Sequence, residues 1–432
     1  MDKFDITIFG ATGLTGKKIV DHVYELSATQ SKQFPPGFRW AVAGRDEDRL
    51  HEIVEAVEKQ YPSASISRPG VIVANVVRRE TVDEMTRQSK VLINAVGPFR
   101  FMGEYVVRSC VEQGCDYVDV TGEPEFVERM QRTYHTQAER KQVTIVHSCG
   151  FDSVPTDMGV LWIKQLYTSR GWTPAWIEMF LRVHAPDGLR AGYATYESAV
   201  HGFGSVELLR EIRKVSGLTP LPRPTGPRLR FHKLLTWDKK LGYHVPFLFA
   251  DPSIVRLSQQ LFLTGYAKPR AATTGATMPP TVQFAAYLLL PSLRVAFAYY
   301  FYGFIFSILA SSPWGRRVLL NNPERFSHGV FSKKHPTDDM LRKSSFEIVL
   351  RSKGYDKSVG FDGDPNQNIT VVVRGPEAGY VATPRIVLQC ALTLLLTDKP
   401  KLPVGVLTPS VAFWNTDLID RLQQVGITYT QS

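Results

Sequence analysis

The chain has 432 residues, a length that fits two domains at roughly 100–200 residues each. With 44% apolar and 21% charged residues it is a folded globular chain, and Gly 32 and Pro 28 exclude collagen-like or Pro-rich low-complexity sequence. Its four cysteines (Cys110, Cys115, Cys149, Cys390) form no CxxC pair, which excludes a zinc ribbon or a disulfide framework.

The opening MDKFDITIFG carries an acid at position 2 and runs directly into a glycine motif. Neither a secretory signal nor an acid-poor transit peptide is expected there, so the reading is a cytosolic start. Residues 4–9 predict a short apolar strand. Gly10-Ala-Thr-Gly13-Leu-Thr-Gly16 follows, and then a helix with apolar positions at Ile19, Val20, Val23 and Leu26. Strand, glycine turn and helix in that order make a dinucleotide site: Gly10 for the tight turn, Gly13 for close approach of the pyrophosphate, Gly16 for helix–strand packing. SATQSKQFPPG (27–37) reads as a loop inserted before the next strand, RWAVAG, which ends at Gly44-Arg45. An NAD site would place an acid at that tip. Arg45 instead suits a 2′-phosphate, so NADP is expected, with Asp46 leaving NAD as the less favoured option.

Further alternation predicts strands at 70–77, 91–98, 115–122 and 143–150, with helices at 81–89 (capped by Thr81), 103–114 and 124–141 between them. Six strands with intervening helices make a doubly wound parallel sheet whose ligand crevice lies at the strand C-termini.

The net charge of +10 is uneven. Between Arg210 and Lys334, 18 Lys/Arg face only Glu211, Asp238, Asp251 and Glu324, a local net of +14. That segment also holds the apolar runs FAAYLLL (284–290) and VAFAYYFYGFIFSILA (295–310), with Pro291 and Arg294 between them. Sixteen helical residues reach roughly 24 Å, short of the ~30 Å hydrocarbon core. An interfacial hairpin over about 284–313 is therefore expected, turning at Pro291–Arg294, with the basic loop 220–233 attracted to anionic lipid. No nucleic-acid reader module is present.

GATGLTG, AVAGR, NAVGPFRFMGEYVVRSC, YVDVTGEPEF, CGFDSVPTDMG, GPEAGYVATP and LTPSVAF occur in an order that resembles the saccharopine dehydrogenase-like oxidoreductases over nearly the whole length. That resemblance implies an N-terminal Rossmann domain (1–158), an inserted α+β second domain (159–374) and a C-terminal segment (375–432) that packs back on the first domain. It implies nucleotide contacts from Gly10, Thr12, Gly13, Leu14, Thr15, Gly16, Arg45, Ala95, Val96 and Gly97. It also implies a lipid-droplet or membrane-surface location, as for animal members; mycobacterial relatives include a trans-acting enoyl reductase. No set of basic residues suited to the three carboxylates of saccharopine is apparent.

Hydride chemistry belongs to the nicotinamide, so the chain needs at most one proton donor. None of the 17 tyrosines has a lysine four residues later, which excludes the Tyr-x-x-x-Lys mechanism. The weak candidates at strand ends are Tyr117, Glu123 and Asp152; Ser153 reads as a helix cap with Asp157 in the first turn, and His147 as a core histidine. No metal site is expected. The expected protein is an NADP-dependent oxidoreductase at a lipid surface, acting on an apolar, lipid-like small molecule, with a homo-oligomer as an open option. The alternatives are a non-catalytic NADP-binding droplet coat and a soluble saccharopine-type amino-acid dehydrogenase.

Overall fold

Short apolar runs broken by turns form the first six strands of the computed structural model, which describes residues 3–203, 205–270, 278–334 and 336–432. They are β1 (Phe4–Phe9), β2 (Trp40–Gly44), β3 (Gly70–Val73), β4 (Ser89–Asn94), β5 (Asp116–Asp119) and β6 (Thr144–Val146). Between and after them lie α1 (Leu14–Gln30), α2 (Glu47–Gln60), α3 (Arg79–Arg87), α4 (Phe99–Gln113), α5 (Pro124–Lys141) and α6 (Val154–Ser169). Several boundaries differ from those expected. Residues 27–30 continue α1 instead of opening a loop, because Leu26 and Ser27 are buried and extend its packed face. Thr81 lies inside α3 and does not cap it; its hydroxyl accepts the Asn75 N–H (3.0 Å) and donates to Arg78 O (2.8 Å), serving the turn after β3.

The second half supplies β7 (Thr173–His184), β8 (Ala191–Gly192), α7 (Tyr193–Phe203), α8 (Val206–Lys214), β9 (Thr236–Asp238), β10 (Gly242–Pro246) and α9 (Asp251–Thr264). These are followed by β11 (Gln283–Leu290), α10 (Leu293–Ala310), α11 (Pro313–Asn321), β12 (Phe331–Ser332), β13 (Ser345–Tyr355), β14 (Gln367–Pro376), β15 (Gly405–Leu407) and β16 (Thr428–Gln431).

The first sheet is wholly parallel, in the order β15-β6-β5-β4-β1-β2-β3, so a seventh strand from the C-terminal segment joins the six expected. The second sheet is mixed, β16-β14-β13-β7-β11-β10-β9, with only β7 and β11 parallel to each other. The fold is therefore a Rossmann sheet with an inserted α+β domain. The 158/159 boundary falls within α6, whose Gly159 faces Leu350 and Val373 of the second sheet. The 374/375 boundary falls within β14. The C-terminal segment returns to both layers: the helix Thr383–Leu396 packs on α1, β4 and β5, while β16 pairs with β14.

The expected lipid hairpin over 284–313 is corrected in its first half. Residues 284–290 lie in β11, hydrogen-bonded to β7 on one side and β10 on the other. A strand enclosed by neighbours reads as an unbroken apolar run, which is what this stretch is. The second half, α10, is a helix outside the sheet.

Candidate functional site

The glycine turn after β1 has the geometry a dinucleotide needs. Gly10 sits at φ +88°, and a Cβ there would come within 2.8 Å of Val96 Cγ2. A Cβ on Gly16 would collide with Gly10 O, so that glycine lets α1 lie against the turn. Gly13 caps α1 in an extended conformation, and no side chain closes the cap. The leading N–H groups of Leu14, Thr15 and Gly16, which no helix satisfies internally, are left to an anion. The opposite lip is Ala95-Val96-Gly97, tied down by Ala95 N to Phe9 O (2.9 Å) and Val96 N to Asn94 Oδ1 (3.0 Å).

On the adenosine side, between the turn and α2, lies a cavity of about 200 Å³ lined by Thr12, Lys17, Arg49, Glu52 and Ile53. Two cations and a hydroxyl suit a phosphate and outnumber the one carboxylate there, Glu52. Arg45 stands exposed at the β2 tip, beside this cavity in sequence. Asp46, the residue that left NAD open, is engaged elsewhere: it N-caps α2, accepting Arg49 N–H at 3.1 Å. Arg49 and Lys17 were missed by sequence reasoning because they belong to helices whose relative placement only the fold reveals.

The three weak proton-donor candidates separate clearly. Tyr117 is fully buried; it donates to Asp119 Oδ2 (2.9 Å) and accepts from Asn94 Nδ2 (3.0 Å). Burial and Asp119 push its pKa up, and its ring packs in the core beneath α4 and α5. Tyr117 is thus a core group and not a crevice group. Asp119 also takes His147 Nδ1 (2.7 Å) and the N–H groups of Thr121 and Ser148, so it shapes the loops after β5 and β6. Glu123 is corrected as well. Its carboxylate is paired with Arg100 Nε (2.8 Å) and accepts from Phe99 N and Ser198 Oγ. Since Arg100 also bonds His201 O and Ser205 Oγ, the pair is a clasp between the two domains.

Asp152 has the environment of an acid. It lies past the C-terminal end of β6, with Oδ2 2.9 Å from where a Cβ of Gly122 would stand at the end of β5. Its carboxyl faces that of Asp251, the first residue of α9, and burial with this second acid pushes its pKa well above the usual carboxyl range. Burial raises Asp251 too, and Asp251 Oδ1 is buried with no hydrogen-bond partner among the described residues. Two facing carboxyls without a cation between them hold a proton. In this sheet order β5 and β6 lie on the β4 side of β1, the half of the crevice opposite adenosine, where the nicotinamide end of a dinucleotide lies.

Ser153 occupies the N-cap position of α6 but does not cap; its hydroxyl turns back to Asp152 O. Asp157 is buried and accepts Ser410 N (2.8 Å) and Ser258 Oγ (2.9 Å), joining three segments. The four cysteines are buried and unpaired, and among the described residues no His, Cys, Asp or Glu cluster fits a metal. The second domain reaches the glycine turn directly: Lys18 pairs with Asp338 (2.9 Å), and Tyr380 and Leu14 both pack at Gly192.

A parallel sheet with this order, a Cβ-intolerant glycine turn and an uncapped helix start define a dinucleotide-binding protein of the Rossmann type. Residues 6–146 match the family described as Saccharopine dehydrogenase NADP binding domain. The chain is 37% identical to the human Saccharopine dehydrogenase-like oxidoreductase over 436 residues, covering 99% of this chain and 97% of that one. It is 33% identical to the Caenorhabditis elegans protein named Lipid droplet localized protein over 447 residues, covering 99% and 98%. The chain belongs to the saccharopine dehydrogenase-like oxidoreductase family, and its coenzyme is NADP. Apo saccharopine dehydrogenase (L-Glu forming) from Saccharomyces cerevisiae aligns over 99% of both chains, with a TM-score of 0.50 and 11% identity, a likeness of fold alone.

Proposed function

We propose that this protein reduces a C=C or C=O bond of an apolar, lipid-like molecule with NADPH while seated on a lipid-droplet or membrane surface. The observation that carries this reading is α10. It has 18 residues, a mean hydropathy of 1.5, and is only 11% buried. Ala296 and Ala310, near its two ends, are both buried against the second domain, so the helix lies along the protein. Phe297 (75% exposed), Phe301 (51%), Phe304 (66%) and Ile308 (56%) recur every three or four residues as one outward stripe, and Trp314 (67%) follows just beyond. A helix held at both ends lies in the plane of a surface and does not span it. Each ring moved from water into lipid contributes roughly 1.5–3 kcal/mol, and Arg294, Arg316 and Arg317 flank the stripe for headgroups.

In the coenzyme crevice, the N–H groups opening α1 would hold the pyrophosphate, and Arg45, Arg49 and Lys17 would meet the 2′-phosphate. Bound NADPH supplies the hydride. Asp152, kept protonated by Asp251, gives the proton to the substrate oxygen or carbon and regains one from solvent through its partly exposed side. The C. elegans relative's name accords with the surface location, and the mismatch with saccharopine's three carboxylates favours an apolar substrate.

The test is NADPH oxidation by the full chain with medium- and long-chain enones, ketones and aldehydes, presented in a phosphatidylcholine–triolein emulsion and in buffer. Turnover that needs the emulsion and is lost in Asp152→Asn supports the reading. NADPH binding without oxidation of any acceptor would replace it with the coat-protein reading.

A further inference from the structure

On the outer side of α9, away from the glycine turn, lies an open cavity of about 280 Å³. Its walls are mostly apolar: Leu221, Pro222 and Pro224 from the basic loop, with Thr225 beside them, Pro252 from the first turn of α9, and Phe284 from β11. Arg256 and Gln259, three residues apart and so on one face of α9, supply the polar floor. No acidic residue lines the cavity among the described residues.

Arg256 is half-buried, and its Nη1 is fully buried without a hydrogen-bond partner among the described residues. The nearest counter-charge is already committed, since Glu128 is held by Arg213 at 2.8 and 3.0 Å. Burial and the Arg213 charge hold the Arg256 guanidinium below its ordinary range, so the fold bears this cation at a cost. Gln259 is oriented by its carbonyl, which accepts Val282 N (2.7 Å) and Lys164 Nζ (3.2 Å). Its Nε2 is thereby left without an acceptor among the described residues, on the side of the cavity. The polar groups at the floor are donors lacking an acceptor, and the walls are mostly apolar, with Thr225, Thr281 and Gln283 the uncharged polar residues among them.

We infer that this cavity is a binding site for a small carboxylate with an apolar tail, its carboxylate on Arg256 and Gln259 and its chain against the proline-rich loop and Phe284. The carboxylate sets a negative charge beside a guanidinium that has no acid of its own, and the tail removes proline and phenylalanine surface from water. The site is separate from the coenzyme crevice and does not depend on the proposed reduction.

Decanoate, well below its aggregation concentration, is the probe, titrated calorimetrically into the full chain beside decanol and inorganic phosphate. One saturable decanoate site is expected, with decanol and phosphate each at least tenfold weaker. Arg256→Gln should weaken decanoate at least tenfold while NADPH affinity stays unchanged and the melting temperature does not fall. Thr225→Phe, which narrows the cavity without altering the arginine, should weaken it as well. Decanoate that fails to bind, binds Arg256→Gln as tightly as the parent, or is matched by decanol or by phosphate would overturn the assignment.

Discussion

Two helices of this protein are almost equally apolar and have opposite fates. The helical stretch Ala378–Leu396 has a mean hydropathy of 1.4 and is 61% buried, whereas α10 has 1.5 and is 11% buried. The first is wedged between α1 and the strands β4 and β5, so its residues Ile386, Val387, Leu388, Ala391 and Leu392 are all inaccessible. The second lies at the margin of the second domain with phenylalanines outward. Hydropathy therefore says that a helix avoids water but not what shields it. Topology decides between a core and a surface that meets another apolar phase.

Substitutions can break or sharpen this contrast. The largest effect is expected at the inner helix: Leu388→Asp places an unpaired charge in the core, and even Leu388→Ala should cost about 2–5 kcal/mol by urea unfolding. Next, Gly16→Val should abolish NADPH binding, read by protein fluorescence, because any Cβ there meets Gly10 O. The same variant should still bind lipid through α10, which separates the two halves of the account. Smaller still, Arg45→Ala or Arg49→Ala should weaken NADPH roughly tenfold more than NADH, as expected for loss of one charge-assisted phosphate contact. The smallest is stability after Phe304→Asp, expected within about 0.5 kcal/mol of the parent because that ring is already in water.

The acid pair adds a pH signature to the inner half. Burial and Asp251 raise the pKa of Asp152, so with Asp152 as the proposed proton donor turnover is expected to fall as pH rises through the folded value. Asp251→Asn removes the neighbouring negative charge, lets Asp152 ionise more readily, and should move that alkaline limb to lower pH. Stability follows the same sign: the pair's contribution is full below the ordinary carboxyl range and is lost as pH rises through the raised folded value, a slope Asp251→Asn should flatten.

What was legible in the sequence was local. The glycine turn, the alternation of strands and helices and the arginine at the β2 tip depend on neighbours a few residues away, and the structure places them as expected. What was not legible depends on long-range pairing. FAAYLLL is apolar at every position, so its periodicity could not separate a membrane helix from an enclosed strand, and only its partners β7 and β10 decide. Asp152 and Asp251 are 99 positions apart, and nothing in either local sequence announces that they face each other. Glu123 looked free at a strand end because Arg100, its counter-ion, is offered from α4. Arg49 was hidden in a charged helix turn, where a solvated face is the ordinary reading.

The most direct test of the account is flotation of the NADPH-loaded full chain with a phosphatidylcholine–triolein emulsion in a density gradient, comparing the parent with Phe297→Asp/Phe304→Asp. The parent should rise with the lipid and the variant should stay below, with equal NADPH affinity in both and a monomeric mass for each by light scattering. Equal flotation of the two, or a parent that stays below as a dimer which the variant cannot form, would contradict the lipid-facing role of α10.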